Sequence, residues 1–169
     1  MDSINWSLFR RKIYIQAPVE RVYQCWATGK ELETWFLRSS TYFKPNGKPR
    51  GKEEPGQEND TYIWEWHNWE SQGKGQVTLA NGINRFQFTF DDSKVTIELE
   101  RGRDMTLLTL TQEEIAEDEQ SKMMIYFGCS NGWTFWLTNL KAYLEHGVLL
   151  HDTRPDLIGQ HDGLEFVNM

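Results

Sequence analysis

His67 follows Trp66 directly and stands two residues after Glu65, inside the stretch YIWEWHNWE that runs from Tyr62 to Glu70. An imidazole near a carboxylate can shuttle protons when both reach one reacting atom. Strand geometry works against that here. Alternation sets Glu65 and His67 on the face opposite Tyr62, Trp64 and Trp66, so an inward aromatic face turns His67 to solvent unless the strand twists or bulges. Of the other histidines, His146 is expected at a helix C-terminus, where positive charge is favourable, and His151 and His161 fall in the tail. Cys25 and Cys129 lie far apart among apolar residues, as expected of two buried thiols in a cytosolic protein; nothing in the sequence supports a disulfide. With no CxxC and no Cys/His cluster, neither a metal site nor a cofactor is expected. GxSxG, Walker, HExxH and dinucleotide patterns are absent as well. No catalytic residue is assigned.

The chemistry the chain does hold in quantity is aromatic. Aromatic residues make up 14% of the 169 residues, with 8 Trp, 6 Tyr and 9 Phe. Such side chains can build a thick core or line a wide cavity. The length suits a single domain over residues 1–169, with a core at about 9–150 and an irregular tail at 151–169. A net charge of −7 argues against nucleic acid and anionic membranes as partners. The one basic cluster, Lys44, Lys48, Arg50 and Lys52, is Pro/Gly-rich and runs into Glu53 and Glu54, so it reads as a solvated loop. The start MDSINWSLFRRK lacks the apolar run of a signal peptide, and no stretch is long and apolar enough for a membrane span. A cytoplasmic location is expected.

Hydropathy periods place the elements that must position these rings. FRRKIYIQ reads as a strand. After Pro18, Val19, Val22, Tyr23 and Trp26 recur with helical spacing. Thr28 and Glu31 have the spacing of a capping box, predicting a second short helix that carries Leu32, Trp35 and Phe36. Residues 44–60 read as a long loop. From Asp60 the period becomes two, and about five antiparallel strands follow. Tyr62, Trp64 and Trp66 share one face, as do Phe86, Phe88 and Phe90; Asn81-Gly82 marks a hairpin. From about Ser121 to His146 the period returns to that of one long helix, ended by Gly147 and striped with Trp133, Trp136, Leu137, Leu140 and Leu144. Gly128 and Gly132 share a face of that helix. They mark either a kinked start or a place where something bulky lies on bare backbone.

This order is α+β: a curved antiparallel sheet wrapped around a long C-terminal helix, with two short helices after the first strand. The space between sheet and helix is the candidate ligand site. Its lining is expected from Trp26, Trp35, Phe36, Tyr62, Trp64, Trp66, Phe86, Phe88, Phe90, Tyr126, Gly132, Trp133, Trp136 and Leu140, with Tyr62, Tyr126 and Asn131 as polar accents. Solid packing of the same side chains is the competing arrangement.

IYIQAPVERVYQCWATGKELETWF resembles the opening of the START-like (SRPBCC, Bet v 1-like) helix-grip superfamily, and NGWTFWLTNLKAYLEHG is similar to its final helix. Within it, the chain looks most like the family named after the C-terminal domain of the activator of Hsp90 ATPase. The resemblance spans roughly residues 9–150 and implies the helix-grip fold. For function it implies three alternatives: non-catalytic binding of a small hydrophobic or aromatic ligand, a protein-interaction or co-chaperone module, and, more weakly, cyclase or hydrolase chemistry in the same cavity. A small hydrophobic ligand is the leading expected partner. A homodimer, and more weakly an Hsp90-type chaperone, are the protein partners considered.

Overall fold

The computed structural model describes residues 4–158 and Val167. Strand β1 spans Leu8–Ile15, followed by helices α1 at Val19–Ala27 and α2 at Gly29–Trp35. Six further strands follow: β2 at Ser39–Phe43, β3 at Thr61–Glu65, β4 at Gln72–Ala80, β5 at Arg85–Phe90, β6 at Ser93–Arg101 and β7 at Thr106–Glu113. All seven form one antiparallel sheet in the order β1-β7-β6-β5-β4-β3-β2. A register shift between Val77 and Leu79 marks a bulge on β4, which bends a strand and sharpens its twist. The sheet curves around one long C-terminal helix. The α+β helix-grip architecture expected from the sequence is thus the one observed.

Three details differ from the sequence reading. β2 was not anticipated; Ser39–Phe43 becomes a strand by pairing with β3, Ser40 opposite Trp64 and Tyr42 opposite Tyr62. The C-terminal helix begins with a turn at Glu119–Ser121 and continues as a π-helix over Lys122–Cys129. It becomes α-helical only at Ser130–His146. The irregular start that the two glycines hinted at is therefore a widened helical stretch. And the basic cluster is not simply solvated, as described below.

Local signals explain the short helices. The Thr28 side chain accepts a hydrogen bond from the Glu31 amide and so caps α2. Gly147, in the left-handed region with φ 67°, ends the C-terminal helix as expected of a C′ glycine. Asn81 organises the β4–β5 hairpin: its Oδ1 accepts from the amides of Ile83, Asn84 and Arg85.

The 44–60 loop is held by charge. Asp60 is fully buried, and the Arg50 guanidinium grips its carboxylate through Nε and, at 3.0 Å, through Nη2. The Gln57 amide donates to the same carboxylate at 2.7 Å. Glu54 contacts Arg50 and, at 3.1 Å, Lys44; Lys52 pairs with Glu33. The cluster thus spends most of its positive charge inside the loop and against α2. Removing one partner of a buried pair strands the other. Arg50→Leu is expected to cost about 3–5 kcal/mol of unfolding free energy, read as a lower urea midpoint with an unchanged slope.

One glycine in β4 is required by space. A Cβ on Gly75 would lie 2.5 Å from the Tyr62 hydroxyl and 2.7 Å from the Thr89 carbonyl oxygen. Gly75→Ala must therefore displace the Tyr62 ring or the β5 backbone. An overpacking loss of about 1–3 kcal/mol is expected, checked by chemical denaturation.

Candidate functional site

The rings expected to line a cavity converge from four directions. α1 supplies Trp26, α2 and the residue after it supply Trp35 and Phe36, the sheet supplies Tyr62, Trp64, Phe86, Phe88 and Phe90, and the C-terminal helix supplies Trp133, Trp136 and Leu140. Apart from half-buried Phe90, all of these are buried. Trp26 meets Trp35 edge-on at 5.0 Å between centroids. Phe36 touches Trp64 at 5.8 Å, Trp133 at 5.5 Å and Trp136 at 4.9 Å. Tyr62 stacks on Trp64 at 4.1 Å, and Trp64 meets Phe88 at 5.1 Å. Trp66 is half-buried against Phe36 and Phe90. The rings pack upon one another between sheet and helix. Two surface depressions of about 220 and 280 Å³ lie away from them, around Gln16, Asp104 and Met105.

The remaining expected positions are more peripheral. Tyr126 is half-buried against Trp6 and Phe9, at 5.0 and 5.6 Å. Asn131 is exposed. An added Cβ on Gly132 would meet no atom within 4 Å. Trp69, which is not among the expected lining residues, is 38% exposed past the end of β3.

Within the ring cluster, each polar atom faces a distinct environment. Trp133 Nε1 donates to Gln112 Oε1 at 2.8 Å; Gln112 Nε2 donates in turn to Ser93 Oγ at 2.9 Å. Trp35 Nε1 donates to the Cys25 carbonyl at 2.9 Å. The Tyr62 hydroxyl donates to the Thr89 carbonyl at 2.5 Å, and burial raises its pKa further, so this group stays protonated. Trp26 Nε1 and Trp64 Nε1 are buried and have no hydrogen-bond partner among the described residues. Most buried donors are paired, so two orphans in one cluster call for an explanation.

Gln112 was not singled out from sequence, although a signal existed. It shares the parity of Leu108 and Leu110 on β7, so the pattern itself turns a glutamine inward. Its amide ties the sheet floor to the helix.

Neither thiol is poised as a nucleophile. Both thiols are free. Burial pushes the Cys25 thiol up to about 12 and the Cys129 thiol up to about 11, so neither is ionised near neutrality. No group of three or more metal-ligating side chains occurs among the described residues.

His67 does not follow the alternation of β3, because the strand ends at Glu65. It is half-buried and its ring lies 5.4 Å from that of His151. This juxtaposition joins residues far apart in the chain, and no local pattern announces it. His161 lies outside the described residues. No helix among the described residues is long and apolar enough to cross a membrane.

Comparison with known proteins agrees with this architecture. The chain resembles a Staphylococcus saprophyticus protein seen by crystallography, with TM-score 0.67 and 20% identity over 84% of this chain and 94% of that one. It also resembles the Aha1 dimer from Colwellia psychrerythraea, with TM-score 0.65 and 19% identity over 83% of this chain and 97% of that one. DynU16, from the dynemicin biosynthetic locus, aligns with TM-score 0.62 and 17% identity, over 83% of this chain and 48% of that one. At these identities the likeness is one of fold. No curated protein matches the chain. The model of the family described as activator of Hsp90 ATPase homolog 1-like protein matches residues 16–145, and the chain belongs to that family.

Proposed function

We propose that the chain binds a small apolar or aromatic molecule between the sheet and the C-terminal helix, without catalysing its conversion. One observation carries this reading: the indole N–H groups of Trp26 and Trp64 inside the ring cluster, which find no partner among the described residues. A buried donor left unmade costs about 1–3 kcal/mol. A flat ligand with a carbonyl, ether or phenolic oxygen would offer the missing acceptor while replacing ring-on-ring contacts with its own. The proposed wall is the set of rings from Trp26 to Leu140 together with Tyr126 and Gly132, and entry requires the rings to part. The π-helical stretch is the weakest part of that wall. It contributes no fully buried side chain, and low contact density favours local opening. Two free thiols are consistent with a reducing, cytoplasmic setting.

A second reading, association with a protein partner or a second copy, has its own support. Met123, Met124 and Phe127 expose 55%, 53% and 45% of their surface on the π-helical stretch. Flexible thioethers suit adaptable contact surfaces. The Colwellia psychrerythraea protein is described as a dimer.

Native mass spectrometry of the purified chain, followed by tryptophan emission against fatty acids, sterols and flavonoids, separates the two. Retained ligand mass, or emission that changes saturably with an oxygen-bearing aromatic, is expected. A clean apo chain whose emission ignores the whole panel overturns the ligand reading. A strict monomer on sizing that captures no partner overturns the second. Trp64→Phe is expected to weaken an acceptor-bearing ligand about fivefold, the worth of one hydrogen bond near 1 kcal/mol. Gly132→Ala is expected to raise the unfolding midpoint, by up to about 1 kcal/mol of helix preference, and to weaken binding if the ligand rests on that bare backbone.

A further inference from the structure

The residues after Gly147 run back along the C-terminal helix instead of leaving it. The anchor is Asn139, a fully buried amide on that helix. Its Oδ1 accepts from the Leu150 amide at 2.6 Å. Its Nδ2 donates to the Trp35 carbonyl at 2.6 Å and faces His151 Nδ1 at 3.2 Å. A second tie comes from Asn68, whose Nδ2 donates to the Asp152 carbonyl at 2.8 Å.

These partners settle a proton position. A backbone N–H can only donate and a carbonyl can only accept. Leu150 therefore requires the oxygen of Asn139 and Trp35 requires its nitrogen, so the amide cannot be flipped. The second hydrogen of Nδ2 then points at His151 Nδ1, which must present a lone pair. His151 is held neutral, with its proton on Nε2. A proton added at Nδ1 would set two N–H groups against each other across 3.2 Å.

The surroundings resist that proton. The His67 ring lies 5.4 Å from that of His151 on one side and the Trp136 ring 5.4 Å on another. Among the described residues, Asp152 is the nearby charge that favours an imidazolium, and it is engaged by Arg154 at 3.2 Å. His67 faces the Arg38 guanidinium and the Leu37 backbone; Arg38 itself pairs with Glu65 at 3.4 Å. A proton on either ring is thus opposed by positive charge at its neighbour.

We propose that residues 148–154 form an acid-released strap over the end of the ring cluster, held while His151 is neutral and detached when His151 takes a proton from solvent at Nδ1. The covered ring is Trp136, which is only 7% exposed and packs directly on Phe36. Release lengthens or breaks the Leu150–Asn139 bond and bares that indole. The direction of the pH dependence follows from the protonation states. Burial, with His67 close by, pulls His151 from 6.5 down to about 4. Between those values the unfolded or detached segment binds the proton and the docked one does not. Docking is therefore at full strength above about pH 6.5 and is lost as the pH falls toward 4.

NMR on the intact 169-residue chain tests this directly. Long-range nitrogen–proton correlations at pH 7.5 are expected to show His151 as the Nε2–H tautomer. On acidification from 6.5 to 4, the Trp136 indole signal is expected to shift in step with His151. The protection factor of the Leu150 amide is expected to fall about tenfold over the same range. His151→Phe should abolish the response, and His67→Phe should move its midpoint upward. An Nδ1–H tautomer at neutral pH overturns the proposal, as does a Leu150 amide that stays protected after His151 is protonated. So does an unchanged acid response in a folded His151→Phe chain. The tautomer is read on the native sequence, so the test stands even where a variant does not fold.

Discussion

Phe36 is the point through which the two layers of this fold meet. Its ring contacts Trp35 beside it, Trp64 and Trp66 from the sheet side, and Trp133 and Trp136 from the C-terminal helix. Aromatic pairs in stacked and edge-on arrangements are favourable beyond the area they bury. Five aromatic contacts meet on this one side chain, four of them stacked or edge-on, and together they fix the helix relative to the sheet. Much of the surrounding structure serves to place that ring. The Thr28 cap starts α2 at the right residue, and the Trp35 indole, bonded to the Cys25 carbonyl, locks α2 against α1. The Arg50–Asp60 pair holds the loop that leads from β2 into β3.

The four indoles of the cluster's centre show how one residue type takes different roles. Trp35 finds a backbone carbonyl and Trp133 finds an inward glutamine, whereas the indole N–H groups of Trp26 and Trp64 find no partner among the described residues. Nothing in the tryptophan itself decides this. It depends on which atom the opposing element presents, and the opposing element is set by the fold. A core built this way is tightly packed and yet polar at fixed points, which distinguishes it from an aliphatic core of the same volume.

Much of the architecture was legible because alternation and helical period survive burial. The Phe86, Phe88, Phe90 and Tyr62, Trp64 parities are observed as read, and so are the Thr28 cap and the Gly147 stop. β2 escaped because Ser39–Phe43 is short and begins with three small polar residues; its strand character comes from pairing with β3. The π-helical stretch is not legible in the sequence because a period of 3.6 runs across Gly128 without a visible break. His67 departs from the alternation because the last paired position, Glu65, lies two residues before it. Whether the rings leave a gap was never in the pattern, since parity gives a direction for each ring and says nothing about the distance to the opposite wall.

The two cysteines acquire a use from where they sit. Cys25 lies on α1 beneath the Arg21–Glu31 pair, and Cys129 lies where the helix passes from π to α. Burial keeps both sulfurs protonated, which makes them poor nucleophiles while the chain is closed. Their rates of alkylation are therefore a native clock for breathing at two separate places. The chain carries its own pair of opening reporters, one under the short helices and one at the seam of the long one, with no label to add.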